Sequence, residues 1–362
     1  MLMKWMNPGG KTRTARIIWA IIFAALIMAP LFTTPFRLGL FTKFLALAIL
    51  AVGLDLIWGY GGILSLGHGV FFGLGAYAMA MYLKLSTSGS SIPDFMNWSG
   101  LTSLPFFWEP FRYFPVAFLL GILIPAGLAL ILGYFTFRNR IVGVYFTILT
   151  QALVMIVVTL FIGKQEWTGG TNGITGYNGI FGFSFHDPTT RIALYFITLV
   201  ALILAYLLCR YIVRSRAGQV LEASRDGENR VRFLGYDPAR YKTFAFAVSG
   251  GLAGLAGMLF VLQVGIISPS MMGIVPSIEM VLWVALGGRG TLIGAIIGTL
   301  LLNAAKTGIS EAYPEGWLLV LGALFVAVVV WMPNGLIGLW NKAVQILSRK
   351  GGAEHAVIRK EG

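Results

Sequence analysis

Apolar runs of membrane length alternate with short polar connections from about residue 17 to about residue 340. A helix needs roughly 20 residues to cross a hydrocarbon core of ~30 Å. Runs that meet or approach that length lie at Ile17–Phe32, Leu38–Trp58, Gly69–Leu85, Phe114–Phe137, Ile141–Ile162, Ile192–Val213, Asp237–Gly265, Thr291–Thr307 and Trp317–Met332. Ser277–Leu286 is a tenth, but its ten residues make roughly 15 Å of helix at about 1.5 Å per residue. Either it starts within the preceding loop, or the glycines that follow it lie inside the membrane. The pattern predicts an all-α integral membrane protein, a polytopic bundle of about ten transmembrane helices with glycine-interrupted segments.

One stretch breaks the apolar rhythm. From Arg210 to Lys242 the chain carries eight basic residues against Glu222, Asp226, Glu228 and Asp237. Such a segment cannot sit in hydrocarbon, and its Lys/Arg excess marks a cytoplasmic face. Counting crossings from it places both termini on the cytoplasmic side. Residues 1–16 then form a basic cytoplasmic segment, 17–340 the transmembrane domain with the loop at 214–242, and 341–362 a basic cytoplasmic tail. The Trp-rich loop at 86–112 and the Gly/Thr/Asn-rich loop at 163–191 fall outside. A cleaved signal peptide competes for the first run, but no convincing small-residue cleavage site follows it, which favours a retained helix. Asp237-Pro238 predicts a helix start, with Asp as cap and Pro at the first helical position.

Composition agrees. The 362 residues are 57% hydrophobic and only 11% charged, with mean hydropathy +0.81, where soluble domains run nearer a quarter charged. The single cysteine, Cys209, excludes a disulfide framework or zinc cluster. The net charge of +13 fits loops facing anionic lipid and an acidic partner rather than nucleic acid. His68, His186 and His355 have no metal-ligand spacing, and no cofactor is implied.

Two places share the pattern G-x-G-x-x-x-G: Gly67–Gly73 and Gly288–Gly294. Each follows an inward helix and opens an outward one. Matched helix breaks of this kind line substrate routes in transporters, and irregular backbone at that depth needs protein or water around it. Glycines four apart (Gly69/Gly73, Gly250/Gly254, Gly290/Gly294/Gly298) equally serve close helix packing, and the two readings are compatible. Neither pattern is a nucleotide site. A dinucleotide fingerprint from Gly67 would need glycine where Phe72 stands, and a phosphate loop ending at Gly10-Lys11-Thr12 would need glycine at Trp5. Intramembrane ionisable groups are costly and draw attention to Asp55, His68, Glu279, Arg289 and Lys306. Ser65 and His68 share a helix face; lacking an orienting acid, they read as a hydrogen-bonded pair holding the break rather than a nucleophile and base. No acid/base or metal constellation supports an enzyme. Candidate path residues are Ser65, Gly67, His68, Gly69, Phe72, Glu279, Gly288, Arg289 and Gly290.

Three ordered segments, Gly59–Met79, Arg216–Leu259 and Gly287–Leu302, resemble the branched-chain amino acid and urea class of ATP-driven importer permeases. Within that class the chain is most similar to the longer of two urea-transporter permeases, a likeness carried by GYDPARYKTFAFAVSGGLAGLAGM, Gln263–Ser270, Ser277–Ala295 and Ile309–Trp317. The resemblance implies a passive pathway subunit in a bacterial inner membrane. It implies as partners a second homologous permease, two cytoplasmic ATPases and a periplasmic substrate-binding protein. The cargo implied is urea or a short amide, with branched-chain amino acids as the alternative; a stand-alone channel or secondary carrier stands apart from both. It also implies a coupling helix around Gly218–Leu234. Asp226 is placed to cap a short helix, Gly235 to stop it, Val231 and Leu234 to form an apolar contact stripe, and Arg225, Glu228, Asn229, Arg230 and Arg232 to surround that stripe with polar contacts.

Overall fold

The computed structural model describes residues 28, 30, 32–89, 92–312, 316–331 and 335–338. Most of the expected first span, the N-terminal segment, the basic tail and residues 313–315 of the acidic turn lie outside these. The main helices are α1 (Pro35–Asp55), α2 (His68–Ser88), α3 (Phe114–Arg138), α4 (Val144–Gly163), α5 (Pro188–Arg214), α6 (Arg216–Phe233), α7 (Pro238–Val264), α8 (Ile274–Gly287), α9 (Leu292–Ala312) and α10 (Trp317–Trp331). Among the described residues, seven helices are long and apolar enough to cross a membrane: α1 with the π-turn Leu56–Tyr60 that extends it, α2, α3, α4, α5, α7 and α9. α8 has 14 residues, about 21 Å of helix. It both starts earlier than expected, at Ile274, and ends at the glycine break.

α7 starts and stops for local reasons. The Asp237 carboxylate accepts from the Ala239 N–H at 3.1 Å, with Pro238 at the first turn. At its other end Gly265 takes the left-handed conformation, φ 72°, and its N–H donates to Val261 O at 2.9 Å.

Burial sorts helices that hydropathy cannot distinguish. α1, α2 and α7 are largely enclosed, whereas α3 and α4 face outward over most of their surface. Leu119, Leu123, Leu130, Ile131 and Phe135 on α3, and Tyr145, Ile148, Met155, Ile156 and Leu160 on α4, form that outer apolar surface. With lipid as apolar as the core, helix association depends on close packing rather than hydrophobic burial. Small residues supply it. A Cβ on Gly75 would collide with the backbone of Gly254, and one on Gly257 with the carbonyl of Phe72, so α2 and α7 touch backbone to backbone. Pro125, inside α3, packs on Gly254 from the other side. α8 and α9 meet in the same way at Gly287, Gly294 and Gly298.

The two loops expected outside carry structure of their own. The antiparallel pair β1 (Gly179–Ile180) and β2 (Phe183–Ser184) is in register Gly179↔Ser184. Ile174 and Ile267 exchange backbone hydrogen bonds of 2.9 and 3.2 Å, tying the loop before α5 to the one after α7. The Trp108 indole donates to Trp167 O at 3.1 Å.

Overpacking a core of this kind costs about 1–3 kcal/mol. Gly257→Val should destabilise the detergent-solubilised protein by that amount in thermal or denaturant unfolding. Gly127→Ala, at a helical glycine with open space around it, should leave stability unchanged or slightly raised.

Candidate functional site: paired helix breaks and a charged helix

After α1 the helix widens into the π-turn Leu56–Tyr60 and then unwinds through Gly61–Gly67. Unwound backbone at membrane depth must be satisfied by neighbouring protein. Here α4 provides the partners: the Thr147 hydroxyl donates to Leu64 O at 3.0 Å, and the Leu66 N–H donates to Thr150 Oγ1 at 3.1 Å. The Gly67 N–H donates to Ser65 Oγ at 3.2 Å. His68 is fully buried, with Nδ1 3.1 Å from Ser65 Oγ and Nε2 2.8 Å from Ser249 Oγ on α7. Edge-on rings of Phe71 and Phe246 enclose it. Ser65 and His68 therefore form a pair, completed by a serine rather than an acid. Their polar atoms are engaged with protein.

The second break lies between α8 and α9. Gly288 and Gly290 have φ of 122° and 76°, a region that side-chain-bearing residues avoid. The Thr291 hydroxyl donates to Gly288 O. The Gly290 N–H donates to Asp55 Oδ1 at 2.7 Å, across 235 residues of sequence, and the Arg289 guanidinium sits over the Trp58 ring at 5.6 Å. Gly59 and Gly290 touch backbone to backbone. The two breaks form one junction, in which Arg289 and Gly290 of the second motif meet Asp55, Trp58 and Gly59, upstream of the Gly67 motif.

The other candidate path residues are placed differently. Gly69 packs on Met272 and Ser277. Phe72 is buried edge-on against Phe260 at 5.1 Å. Glu279 lies apart from the junction and accepts both 2.7 and 2.8 Å hydrogen bonds from Lys306 of α9. Asp55 and Glu279, similarly placed in sequence, thus serve different ends: one holds a backbone amide, the other an ion pair. Ser249, Thr147 and Thr150 carry no motif; hydroxyls within apolar runs were the only signal that could have marked them.

The charged segment forms α6, close to the Gly218–Leu234 range expected but divided by a kink. Gly227 interrupts it with φ −174° and ψ 80°. Asp226, expected as a cap, lies directly before that kink, and its carboxylate takes a 2.9 Å ion pair from the neighbouring Arg225. Val231 is buried and faces the bundle, so the expected Val231–Leu234 stripe does not form. Phe233 and Leu234 instead project outward, 91% and 75% exposed, beside the exposed Asn229 and Arg230. Gly235 stops the helix with φ 83°, its N–H donating to Arg232 O at 2.9 Å. Glu228 is turned inward, 2.7 Å from Arg232 and 2.6 Å from Lys242 on α7. On the other side of the kink, Arg225 Nη1 donates to Gly59 O at 2.7 Å. The charged helix is thereby bonded to the joined breaks.

The chain matches the family model "Branched-chain amino acid transport system / permease component" over residues 36–329 and belongs to that family. It is 27% identical to the high-affinity branched-chain amino acid transport system permease protein LivM of Salmonella typhimurium, over 96% of this chain and 80% of that one. It is 24% identical to LivH of the same organism and 23% identical to BraD of Pseudomonas aeruginosa, in each case over 80% of this chain and 91% of the relative. No solved structure matches. The chain is a multi-pass membrane permease component and not an enzyme. These relatives back the branched-chain alternative better than urea.

Two outcomes follow. Glu279 is buried while Lys306 is partly exposed, so Glu279→Gln should destabilise by less than the ~3–5 kcal/mol of a fully buried pair, and Glu279→Leu with Lys306→Met should recover most of the loss in a double-mutant unfolding cycle. Burial works to raise the Glu228 carboxyl, but hydrogen bonds from Lys242 and Arg232 outweigh it and hold it below the ordinary 4.5. A carboxylate depressed on folding adds stability that is complete above its unfolded value and is lost as pH falls through its folded one. Stability should therefore decline as pH drops below about 4.5, and Glu228→Gln should flatten that part of the pH–stability curve.

Proposed function

We propose that this chain is a pathway subunit of an ATP-driven importer for branched-chain amino acids in a bacterial inner membrane. It works with a second, related permease, two cytoplasmic ATPases and a periplasmic binding protein. Both LivM and LivH of one organism resemble this chain, which supports pairing with a related permease. The segment at 214–242 faces the cytoplasm, both termini lie on that side, and the exposed Asn229, Arg230, Phe233, Leu234 and Gly235 end of α6 docks on an ATPase.

The observation that carries the mechanism is the 2.7 Å hydrogen bond from Arg225 to Gly59 O. It connects the docking helix to the joined breaks, where α1 and α8 both lose helical structure. Movement of α6, driven by nucleotide binding at the ATPases, pulls on the backbone at Gly59. Gly59 in turn bears on Gly290, and the two interrupted helices shift together to open the path from outside to inside. Only the unwound stretches have the conformational freedom for this; the continuous helices α2 and α7 remain as the frame.

A second reading, urea or a short amide as cargo, is favoured by the likeness of Gln263–Ser270 and Ser277–Ala295 to urea-transporter permeases. Uptake of labelled leucine by cells expressing the complete system separates the two. Unlabelled valine and isoleucine should compete and excess urea should not; competition by urea alone would replace the first reading with the second. Transport by the purified chain in liposomes without partner subunits would point instead to a channel or secondary carrier. Arg225→Glu should lower leucine uptake and cargo-stimulated ATP hydrolysis by at least about tenfold, the loss of one charge-assisted hydrogen bond, at normal membrane levels. Full activity in that variant would remove the lever from the mechanism.

A further inference from the structure

At the end of the bundle opposite α6, a cavity of about 490 Å³ opens between the first turns of α1 and α5, the end of α7 and the loop before α5. Three basic side chains line it: Lys43, Arg191 and His186. No Asp or Glu is among its described lining residues, and none of the described ion pairs includes Lys43 or Arg191.

Each group has a fixed disposition. Arg191 Nε donates to Phe185 O at 2.9 Å, which orients the guanidinium and leaves its two terminal nitrogens. Lys43 is held over the Phe260 ring at 5.6 Å. It lies within electrostatic reach of Glu279 and Lys306, which pair with each other at 2.7 Å. Gln263 lines the same cavity, and its side-chain nitrogen is buried with no hydrogen-bond partner among the described residues. An unsatisfied donor beside unbalanced cations calls for an anionic acceptor. Leu40, Leu194 and Leu262 line the same cavity.

We propose that this cavity receives an amphipathic carboxylate: the anionic group sits against Lys43, Arg191 and Gln263, and the apolar body against the leucines. The inference rests on the branched-chain cargo reading and assigns it a receiving site within the permease. A cavity of this size lies in the range of roughly 300–1,000 Å³ typical of small-molecule sites. Urea, neutral and without an apolar part, would neither balance the cations nor cover the leucines.

The test uses the purified complex of this chain with its partner permease and ATPases, without the binding protein. L-leucine, isovalerate (carboxylate without amine) and leucinamide (amine without carboxylate) are titrated by equilibrium binding. Leucine and isovalerate should bind and leucinamide should not. Lys43→Met and Arg191→Gln should each weaken leucine binding by about tenfold, as expected for one charge-assisted hydrogen bond, and Lys43→Arg should restore it. Leucinamide binding as well as leucine, or wild-type affinity in the Lys43→Met variant, overturns the proposal. Uptake by the wild-type system is measured separately. If no leucine is taken up, the cargo reading fails. The cavity assignment then stands or falls on whether isovalerate binds and loses affinity in Lys43→Met.

Discussion

A helix interrupted within hydrocarbon must find partners for its backbone groups inside the protein, and this bundle is built around that requirement. Two helices are interrupted, after α1 and between α8 and α9, and much of what satisfies one break comes from elsewhere in the chain. Asp55, at the end of α1, accepts the Gly290 N–H of the other break. Thr147 and Thr150 of α4 serve the strand-like run from Leu64 to Leu66. His68 joins the restarted helix to Ser249 of α7. The Asp55, Thr147 and Thr150 contacts each spare a backbone group that would otherwise be left unpaired, at a cost of several kcal/mol in lipid.

This junction gives the rest of the molecule its mechanical arrangement. The enclosed pair α2 and α7 meets backbone to backbone through glycines and forms a stiff frame. α6 is fastened on either side of its Gly227 kink, by Arg225 to Gly59 in one half and by Glu228 to Lys242 in the other. One fastening reaches the flexible junction, the other the rigid frame. In the proposed mechanism a helix held in this way transmits displacement to the breaks; Phe233 and Leu234 at its outer end are exposed.

The cargo question illustrates how local and global likeness carry different weight. The sequence motifs around Gln263 and Ser277 led to an expectation of urea, whereas the match along most of the chain is to branched-chain amino acid permeases. The proposed site in the cavity opposite α6 adds a chemical argument, because Lys43, Arg191 and the lining leucines suit a carboxylate with an apolar body.

The sequence by itself determined that the chain is a helical membrane bundle, where most spans lie, and that residues near 60 and 290 interrupt them. Those properties follow from local composition: run length, glycine content and charge exclusion from hydrocarbon. It also contained the Asp237 cap and the Gly235 stop, which involve only adjacent residues. It did not reveal which helices are enclosed, since α3 and α1 are comparably apolar and lipid presents no contrast to a protein core. Nor did it show that Asp226 pairs with Arg225, that Val231 turns inward, or that Asp55 reaches Gly290 while Glu279 reaches Lys306. Partnerships across as many as 235 residues depend on how the helices pack, and one acidic side chain in an apolar run looks like another until its neighbours are in place.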